Sequence, residues 1–219
     1  YSTAYLKMVN ESDYVKVCGN FSISSSNNPT DYLTAGVIEV KGNFMVEGSY
    51  SFNPTGTHKV ILSGNNQTVY FNYVDIEDEL SNKFNILDME NAIDVTFSTQ
   101  IVINTIVGVE KINPNSTFDV KLVNPLILTA DTTIIDFLML REGKIDLNGK
   151  TLITNELYFC GDDCLIDINK GQVLAKGNIQ QQYGIMDINS GTLEVQGDYS
   201  LWYSTAYLKM VNESDYVKV

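Results

Sequence analysis

The sequence is poor in the residues on which the binding of anionic ligands depends. Its 219 residues include one arginine, Arg141, and one histidine, His58, and 14 lysines and arginines stand against 27 acidic residues. The formal net charge of -13 argues against nucleic acid and anionic membrane surfaces as partners, because both are bound through a basic footprint. One arginine is also too little for a cleft that neutralises a chain of uronic acids.

Cysteine, proline and long apolar runs are scarce as well. The odd count of three cysteines gives no disulfide framework. For Cys160 and Cys164, which flank a CGDDC turn, we expect either a short disulfide or free thiols, and Cys18 has no nearby partner in sequence. No apolar run reaches the length of a membrane-spanning helix, so no membrane insertion is expected.

The residues that are abundant favour strands and turns. Hydrophobic residues make up 44% of the chain, with 15 glycines and only 4 prolines, and Val, Ile, Leu, Phe and Tyr dominate the apolar set. A chain of this length and composition can bury a substantial core as one elongated domain.

One 17-residue segment, YSTAYLKMVNESDYVKV, occurs twice without a substitution, at 1–17 and at 203–219. This identity indicates either a tandem period of 202 residues or an overlap built between successive copies. In both cases we expect the CGNFSIS that follows Val17 to follow Val219 as well. The segment would then be a seam between copies rather than a domain boundary. The seam residues that we single out are Tyr1, Tyr5, Val17, Trp202, Tyr203, Tyr207 and Val219.

A shorter period lies beneath the long one. Glycine followed by Asn or Asp and an apolar residue recurs at Gly19, Gly42, Gly177 and Gly197, and the residues before each glycine alternate as strands do. The first apolar position of this pattern recurs in steps of 21, 20 and 22 residues, at Ile145, Ile166, Met186 and Leu208.

Short strands that repeat at this spacing predict an all-β fold, a single-chain parallel β-solenoid (β-helix) with rungs of about 20–23 residues. We expect one continuous solenoid over 1–219, with Asn and Gly at the bends between strands. A short helix is also compatible with the sequence around 75–84. Further inward positions that we expect are Leu147, Leu152, Thr154, Tyr158, Ile188, Leu193, Val195, Tyr199 and Leu201.

The order of several sequence blocks carries a resemblance. The blocks YLTAGVIEVKGNF, GTHKVILSGNNQTVYF, FNILDMENA, PLILTADTTI, GKIDLNGKTL and INSGTLEVQGDY resemble repeats of very large secreted or cell-surface proteins of bacteria, over nearly the whole chain. The resemblance implies a β-solenoid stalk or fibre repeat, an extracellular or cell-surface location and no catalytic residues.

Solenoids also carry polysaccharide-active enzymes, whose hydrolases need paired carboxylates at a defined separation. Asp167 and Asp187 would lie on neighbouring rungs about 5 Å apart, and Asp162 and Asp163 are further candidate acids. The same column also contains Asp146 and Lys209, however, and a repeated surface column of this kind is typical of a solvated face. We therefore expect no catalytic residues and no enzyme activity.

No cofactor or dedicated metal site is expected either. Glycine-rich calcium nonapeptides and EF-hand loops are absent from the sequence, which leaves incidental Ca²⁺ at 161–163. His58 has no Cys or carboxylate at ligand spacing and is expected to be structural.

The sequence thus favours a structural repeat unit of a long extracellular fibre, filament or surface stalk that continues head-to-tail into identical repeats. Lateral association of such fibres is a further expectation. The alternative is a carbohydrate-binding or adhesin solenoid, in which outward aromatic residues would line up across rungs and stack on polysaccharide. A solenoid enzyme acting on polysaccharide is a more distant alternative.

Overall fold

A computed structural model describes residues 6–25, 31–75, 77–78 and 80–219 of the chain. All regular structure in these ranges is β-strand except one 3₁₀ turn, Val109–Lys111. No helix in the described ranges is long and apolar enough to cross a membrane. Around 75–84, where a helix was compatible with the sequence, the described residues lie in turns, bends or irregular backbone, and a strand begins at Phe84.

The chain divides into two compact units, 1–113 and 114–219. The strands of the first unit are β1 (Tyr14–Val17), β2 (Phe21–Ile23), β3 (Val37–Val40), β4 (Phe44–Val46), β5 (Lys59–Leu62), β6 (Thr68–Phe71), β7 (Phe84–Asp88), β8 (Thr96–Phe97) and β9 (Ile101–Val107). They form two parallel ladders. One runs β1–β3–β5–β7–β9 and the other β2–β4–β6–β8.

The strands of the second unit include two long ones that run through bends. They are β10 (Thr117–Leu122), β11 (Leu126–Ile127), β12 (Thr132–Asp146), β13 (Thr151–Phe159), β14 (Cys164–Asp167), β15 (Gln172–Ala175), β16 (Ile179–Gln181), β17 (Ile185–Asp187), β18 (Thr192–Val195), β19 (Tyr199–Leu201), β20 (Tyr207–Lys209) and β21 (Tyr216–Lys218).

Three parallel ladders make up this second unit. The first joins 132–134 of β12 and 151–154 of β13 to β15, β18 and β21. The second joins β10, 137–140 of β12 and 157–159 of β13 to β16 and β19. The third joins β11 and 143–146 of β12 to β14, β17 and β20. Stacked parallel coils of this kind are the defining feature of a β-solenoid, so the predicted fold class is confirmed.

The predicted inward column lies where the sequence period placed it. Ile145 pairs in register with Ile166, Ile166 with Met186 and Met186 with Leu208. The first three of these side chains are at most 2% exposed. Because a fully buried apolar side chain contributes about 1.5–3 kcal/mol to folding, repetition of this column on every turn makes it a main source of stability for the unit.

The bends between strands use left-handed backbone, as expected. Asn148, Asn169 and Asn189 have φ values of 48°, 40° and 43°, a region that Asn tolerates better than most residues. All three side chains also bond to the preceding turn: Asn148 Nδ2 donates to the carbonyl of Leu128 at 3.4 Å, Asn169 Nδ2 to Asp146 Oδ1 at 2.9 Å and Asn189 Nδ2 to Asp167 Oδ1 at 2.8 Å. Each bend is therefore tied to its neighbour by a side chain as well as by the ladders.

One of the expected inward positions is wrong. Tyr158 is half-exposed and points outward, while its neighbours Leu157 and Phe159 are 1% and 0% exposed. The bend after Thr154 is one residue shorter than the equivalent bend of the next turn, so the register places Leu157 opposite Ile179. Leu201 lies in register with the buried Gln181, as an inward residue should, and it is 50% exposed because no described strand pairs with the outer side of β19.

In the first unit an irregular excursion between β6 and β7 is held by one amide. Asn82 is fully buried. Its Oδ1 accepts the backbone N–H groups of Ser51 and Phe52, both at 2.8 Å, and its Nδ2 donates to the carbonyls of Gly48 and Tyr73, both at 2.8 Å. One side chain thereby provides hydrogen-bond partners for two backbone N–H groups and two backbone carbonyls that the strand ladders do not pair.

Candidate assembly interface and surface columns

Residues 9–17 and 211–219 of the two copies of the repeated segment adopt the same turn and strand. The carboxylate of Asp13 accepts the backbone N–H groups of Val9 at 2.9 Å and Asn10 at 3.0 Å, and the equivalent bonds to Asp215 measure 2.7 and 2.9 Å. These backbone hydrogen bonds lower the pKa of both carboxyl groups. The segment therefore folds into one turn in two different settings.

The two copies dock through opposite edges. In the first copy, β1 pairs with the strand that follows it, and Tyr14 lies opposite Val37. In the second copy, β21 and β20 pair with strands that precede them, so that Tyr216 lies opposite Thr192 and Tyr207 opposite Ile185. The same segment is thus paired through one edge in the first copy and through the opposite edge in the second.

A lysine of the segment meets a carboxylate on each side. Lys16 Nζ lies 3.1 Å from Glu39, and its equivalent Lys218 Nζ lies 2.8 Å from Glu194. Glu39 accepts further hydrogen bonds from the hydroxyls of Tyr14 and Ser63. The bond from Tyr14 contributes most to lowering the pKa of Glu39 to about 2, followed by those from Ser63 and Lys16.

A second lysine of the segment behaves in the same way. Lys209 Nζ bonds to Asp187 at 2.6 Å. The equivalent Lys7 lies with its Nζ 5.4 Å from the ring centroid of Tyr32, at cation–π distance. At this position of the segment too, the second copy bonds to a residue that precedes it and the first copy contacts a residue that follows it.

Of the seam residues expected from the sequence, Tyr1 and Tyr5 lie outside the described residues. Val17 is half-buried in β1. The remaining four are exposed, and one of them, Tyr203, stacks on Tyr183 with ring centroids 4.8 Å apart. The exposed fractions are 54% for Trp202, 53% for Tyr203, 54% for Tyr207 and 71% for Val219.

The docked second copy is anchored by a buried amide that the sequence did not reveal. Gln181 is 0% exposed. Its Nε2 donates to the carbonyls of Gly184 at 2.7 Å and Tyr207 at 3.0 Å, and its Oε1 accepts the hydroxyl of Tyr199 at 2.6 Å. Burial raises the pKa of Tyr199. A tyrosine in an inward column needs a hydrogen-bond partner for its hydroxyl. Tyr199 at such a position was the sequence signal that could have predicted a buried polar partner.

The carboxylate column predicted on the outer face is present. Asp146, Asp167, Asp187 and Lys209 follow one another in register, and Lys144 Nζ lies 3.0 Å from Asp167 and 3.5 Å from Asp146. Burial, the largest single effect, would raise the pKa of Asp167, but hydrogen bonds from Asn189 and Lys144 outweigh it and lower that pKa. Each carboxylate of the column is thus held by an ion pair with a lysine, and Asp146 and Asp167 also accept hydrogen bonds from asparagine amides.

Arg141 and the CGDDC turn lie next to this unit's core. Arg141 forms a bidentate pair with Asp119, at 2.5 and 2.7 Å. Cys160 and Cys164 are free thiols that both donate to the carbonyl of Leu140, at 3.6 and 3.1 Å. Burial raises the pKa of Cys164 to about 12, which suppresses its thiolate.

The remaining candidates fall outside any chemical constellation. Asp162 accepts the hydroxyl of Thr205 at 2.9 Å. His58 is fully buried beside the ring of Phe52, with centroids 5.9 Å apart, and neither imidazole nitrogen has a hydrogen-bond partner. Within the described ranges, no group of three or more His, Cys, Asp or Glu side chains is arranged to hold a metal ion.

No protein-family model matches the chain, and no curated protein or solved structure matches it either. The class is therefore defined by the architecture alone: the chain is an all-β protein of the parallel β-solenoid type.

Proposed function

We propose that the chain is a structural repeat unit of a long β-solenoid filament or stalk, in which residues 203–219 of one copy take the place of 1–17 of the next. The observation that carries the proposal is the docking of one segment through two opposite edges. A single copy of the segment in a tandem array would make both sets of contacts.

The two sets of backbone contacts use different groups and are therefore compatible. Toward the following turn, Met8 donates its N–H to Tyr32 and accepts the N–H of Thr34. Toward the preceding turn, Tyr207 donates its N–H to Gly184, and Lys209 accepts the N–H of Ile188. Alternate residues of a strand in a parallel sheet bond to alternate neighbours, so the segment can serve both sides at once.

The side chains are complementary in the same way. In an array, one lysine, numbered 16 or 218, would lie between Glu194 of one copy and Glu39 of the next. An ammonium group has three N–H donors, which allows it to bond to both carboxylates. A column of alternating charge then runs through the seam.

An asparagine ladder supports the same register. Asn178 Oδ1 accepts the N–H of Asp198 at 2.8 Å, and in the first unit Asn20 Oδ1 accepts the N–H of Asn43 at 2.8 Å, while Asn43 Oδ1 accepts the N–H of Thr68 at 2.9 Å. In the proposed array, the carboxylate of Asp198 would accept the N–H of the next copy's Asn20. The ladder would then continue without a gap.

The role that we propose is mechanical and non-enzymatic, in keeping with carboxylates that are engaged in ion pairs with lysines and in hydrogen bonds from amides. Tandem continuation also covers solenoid edges, which otherwise invite uncontrolled strand pairing. We assign the filament to the cell surface or the extracellular space on the strength of the sequence resemblance. Its acidic surface would keep filaments apart until cations or partners screen the charge and allow lateral association.

Electron microscopy of chains that contain one, two and three 202-residue periods tests this proposal. We expect filaments of constant width whose length grows by the same increment with each added period. Particles that grow in all dimensions with period number would overturn it.

Hydrogen exchange on the two-period chain gives a sharper test at the seam. We expect the amides of the central copy of the segment to be better protected than those of the last copy, because the central copy pairs on both sides. Equal protection of the two copies would show that the seam does not form.

A further inference from the structure

Outward aromatic rings follow one another along the second unit. Phe137 and Tyr158 lie on neighbouring strands, with ring centroids 6.5 Å apart and planes inclined by 28°. Tyr183 and Tyr203 stack at 4.8 Å and 14°. The first pair lies in the second ladder, and the second pair follows on the next two turns, three residues beyond Gln180 and Ser200, with which Tyr158 is in register. The four rings are called the aromatic column below.

A cavity of about 230 Å³ opens beside the first two rings of the aromatic column. It lies on the outward face of β12, β13 and β16, which are neighbours in one parallel ladder. The residues that line it are Phe137, Met139, Glu156, Leu157, Tyr158 and Gln180.

We propose that this cavity and the aromatic column form a binding site for an uncharged glycan, a function that goes beyond the filament role. The ring faces of Phe137 and Tyr158 offer the flat apolar surface on which the C–H face of a sugar ring stacks. Glu156 and Gln180 supply acceptors and donors for its hydroxyl groups at the rim of the same cavity.

The size of the cavity favours a single ring at this position. Pockets for drug-sized ligands measure about 300–1,000 Å³, and this cavity is smaller. Further sugar units of the same chain would extend along the axis of the unit toward Tyr183 and Tyr203, where the aromatic column continues.

The charge of the lining residues favours neutral over anionic glycans. The six lining residues include one carboxylate, Glu156, and no cation. The nearby Arg141 is engaged in its bidentate pair with Asp119. An anionic ligand such as an oligouronate would therefore meet a carboxylate without a compensating positive charge, whereas a neutral sugar chain meets no such penalty.

The test is isothermal titration calorimetry of the full chain with three probes: cellohexaose, hexa-N-acetylchitohexaose and hexagalacturonate. We expect at least one of the two uncharged hexasaccharides to bind and hexagalacturonate not to bind. Replacement Tyr158→Ala should weaken that binding about tenfold, because it removes a stacking face. Tyr70→Ala, which removes a half-buried tyrosine from a strand of the first unit, is the matched control and should leave the affinity unchanged.

Two results would overturn the proposal: no binding of either uncharged hexasaccharide at millimolar concentration, or binding that Tyr158→Ala leaves intact. Preferential binding of hexagalacturonate would contradict the charge argument in the same way. Circular dichroism of both variants shows whether the fold is retained. If Tyr158→Ala fails to fold, Tyr158→Leu keeps an apolar side chain without the ring and should show the same loss.

Discussion

Met8 and Met210 occupy the same position of the 202-residue period, yet Met8 is 2% exposed and Met210 is 47% exposed. Met8 is covered because it forms a β-bridge with Leu33 of the following turn. Met210 has no such turn above it among the described residues. The difference measures how much apolar surface a following copy would bury at this one position.

Loss of the Asp215 carboxylate should loosen the docked second copy. Asp215→Ala removes the acceptor for the N–H groups of Val211 and Asn212 within the segment and of Ser190 in the preceding turn. We expect severalfold faster hydrogen exchange at 207–209 and 216–218. Asp13→Ala, the identical change in the first copy, is the control and should leave those amides unaffected. Equal effects of the two variants on the second copy would contradict this prediction.

His58 should make the first unit sensitive to acid. Burial lowers the pKa of its imidazole from 6.5 to about 4, so the unfolded state takes up a proton more readily than the folded state. Stability from this group is therefore complete above about pH 7 and is lost as the pH falls toward 4, by about 3 kcal/mol at about 1.4 kcal/mol per pH unit.

Denaturant unfolding of wild type and His58→Leu across this pH range measures the effect. The difference between the two unfolding free energies should grow as the pH falls, since other titrating groups contribute equally to both. Parallel curves would show that the imidazole is not the group responsible.

Gly143 should be intolerant of any side chain. Its φ is 102°, and a Cβ at this position would lie 2.2 Å from the carbonyl oxygen of Leu122 in the preceding turn. We expect Gly143→Ala to destabilise the second unit by about 3 kcal/mol or more, because backbone must move. Gly149→Ala is the matched control, with φ of 75° but no atom within 4 Å, and should cost only about 1–2 kcal/mol. Thermal unfolding that ranks the two variants equally would contradict the steric argument.

Asn82 should be the most costly single polar side chain to remove from the first unit. Asn82→Ala leaves two buried N–H groups and two carbonyls without their partner, and we expect a loss of about 3–4 kcal/mol. Asn72→Ala removes an exposed amide that donates to the carbonyl of Glu47 at 3.0 Å and accepts the hydroxyl of Tyr70 at 2.9 Å, and it should cost about 0.5–1 kcal/mol. Chemical denaturation of both variants makes the comparison, and similar losses would refute it.

The sequence predicted the features that repeat. The steps between Ile145, Ile166 and Met186 fixed the parallel register because each turn must bring an equivalent apolar residue over the last. The outward column of Asp146, Asp167 and Asp187 followed from the same register. A periodic pattern carries this information several times over, so one irregular turn does not hide it.

Features that occur only once in the chain were not predictable from the sequence. The bend before Leu157 is one residue shorter than its neighbour, and an offset of one residue exchanges the inward and outward faces of a strand, as it did for Tyr158. Asn82 and Gln181 act through backbone groups that are distant in sequence, and a single polar residue gives no sign of such partners. The same offset moved Tyr158 into the aromatic column, so the glycan site depends on the irregularity that the period concealed.

The three ladders of the second unit also determine how it would carry a load. Hydrogen bonds between successive turns lie along the stacking direction, so the bonds within one turn share a pulling force while the turns bear it one after another. The yield point is then set by the complete turn with the fewest described pairs: the turn of β10 and β11 makes seven, five through β10 and two through β11, against eleven between β12 and the strands that follow it. Lengthening β11 would reinforce the unit under tension more than any change in its well-paired turns.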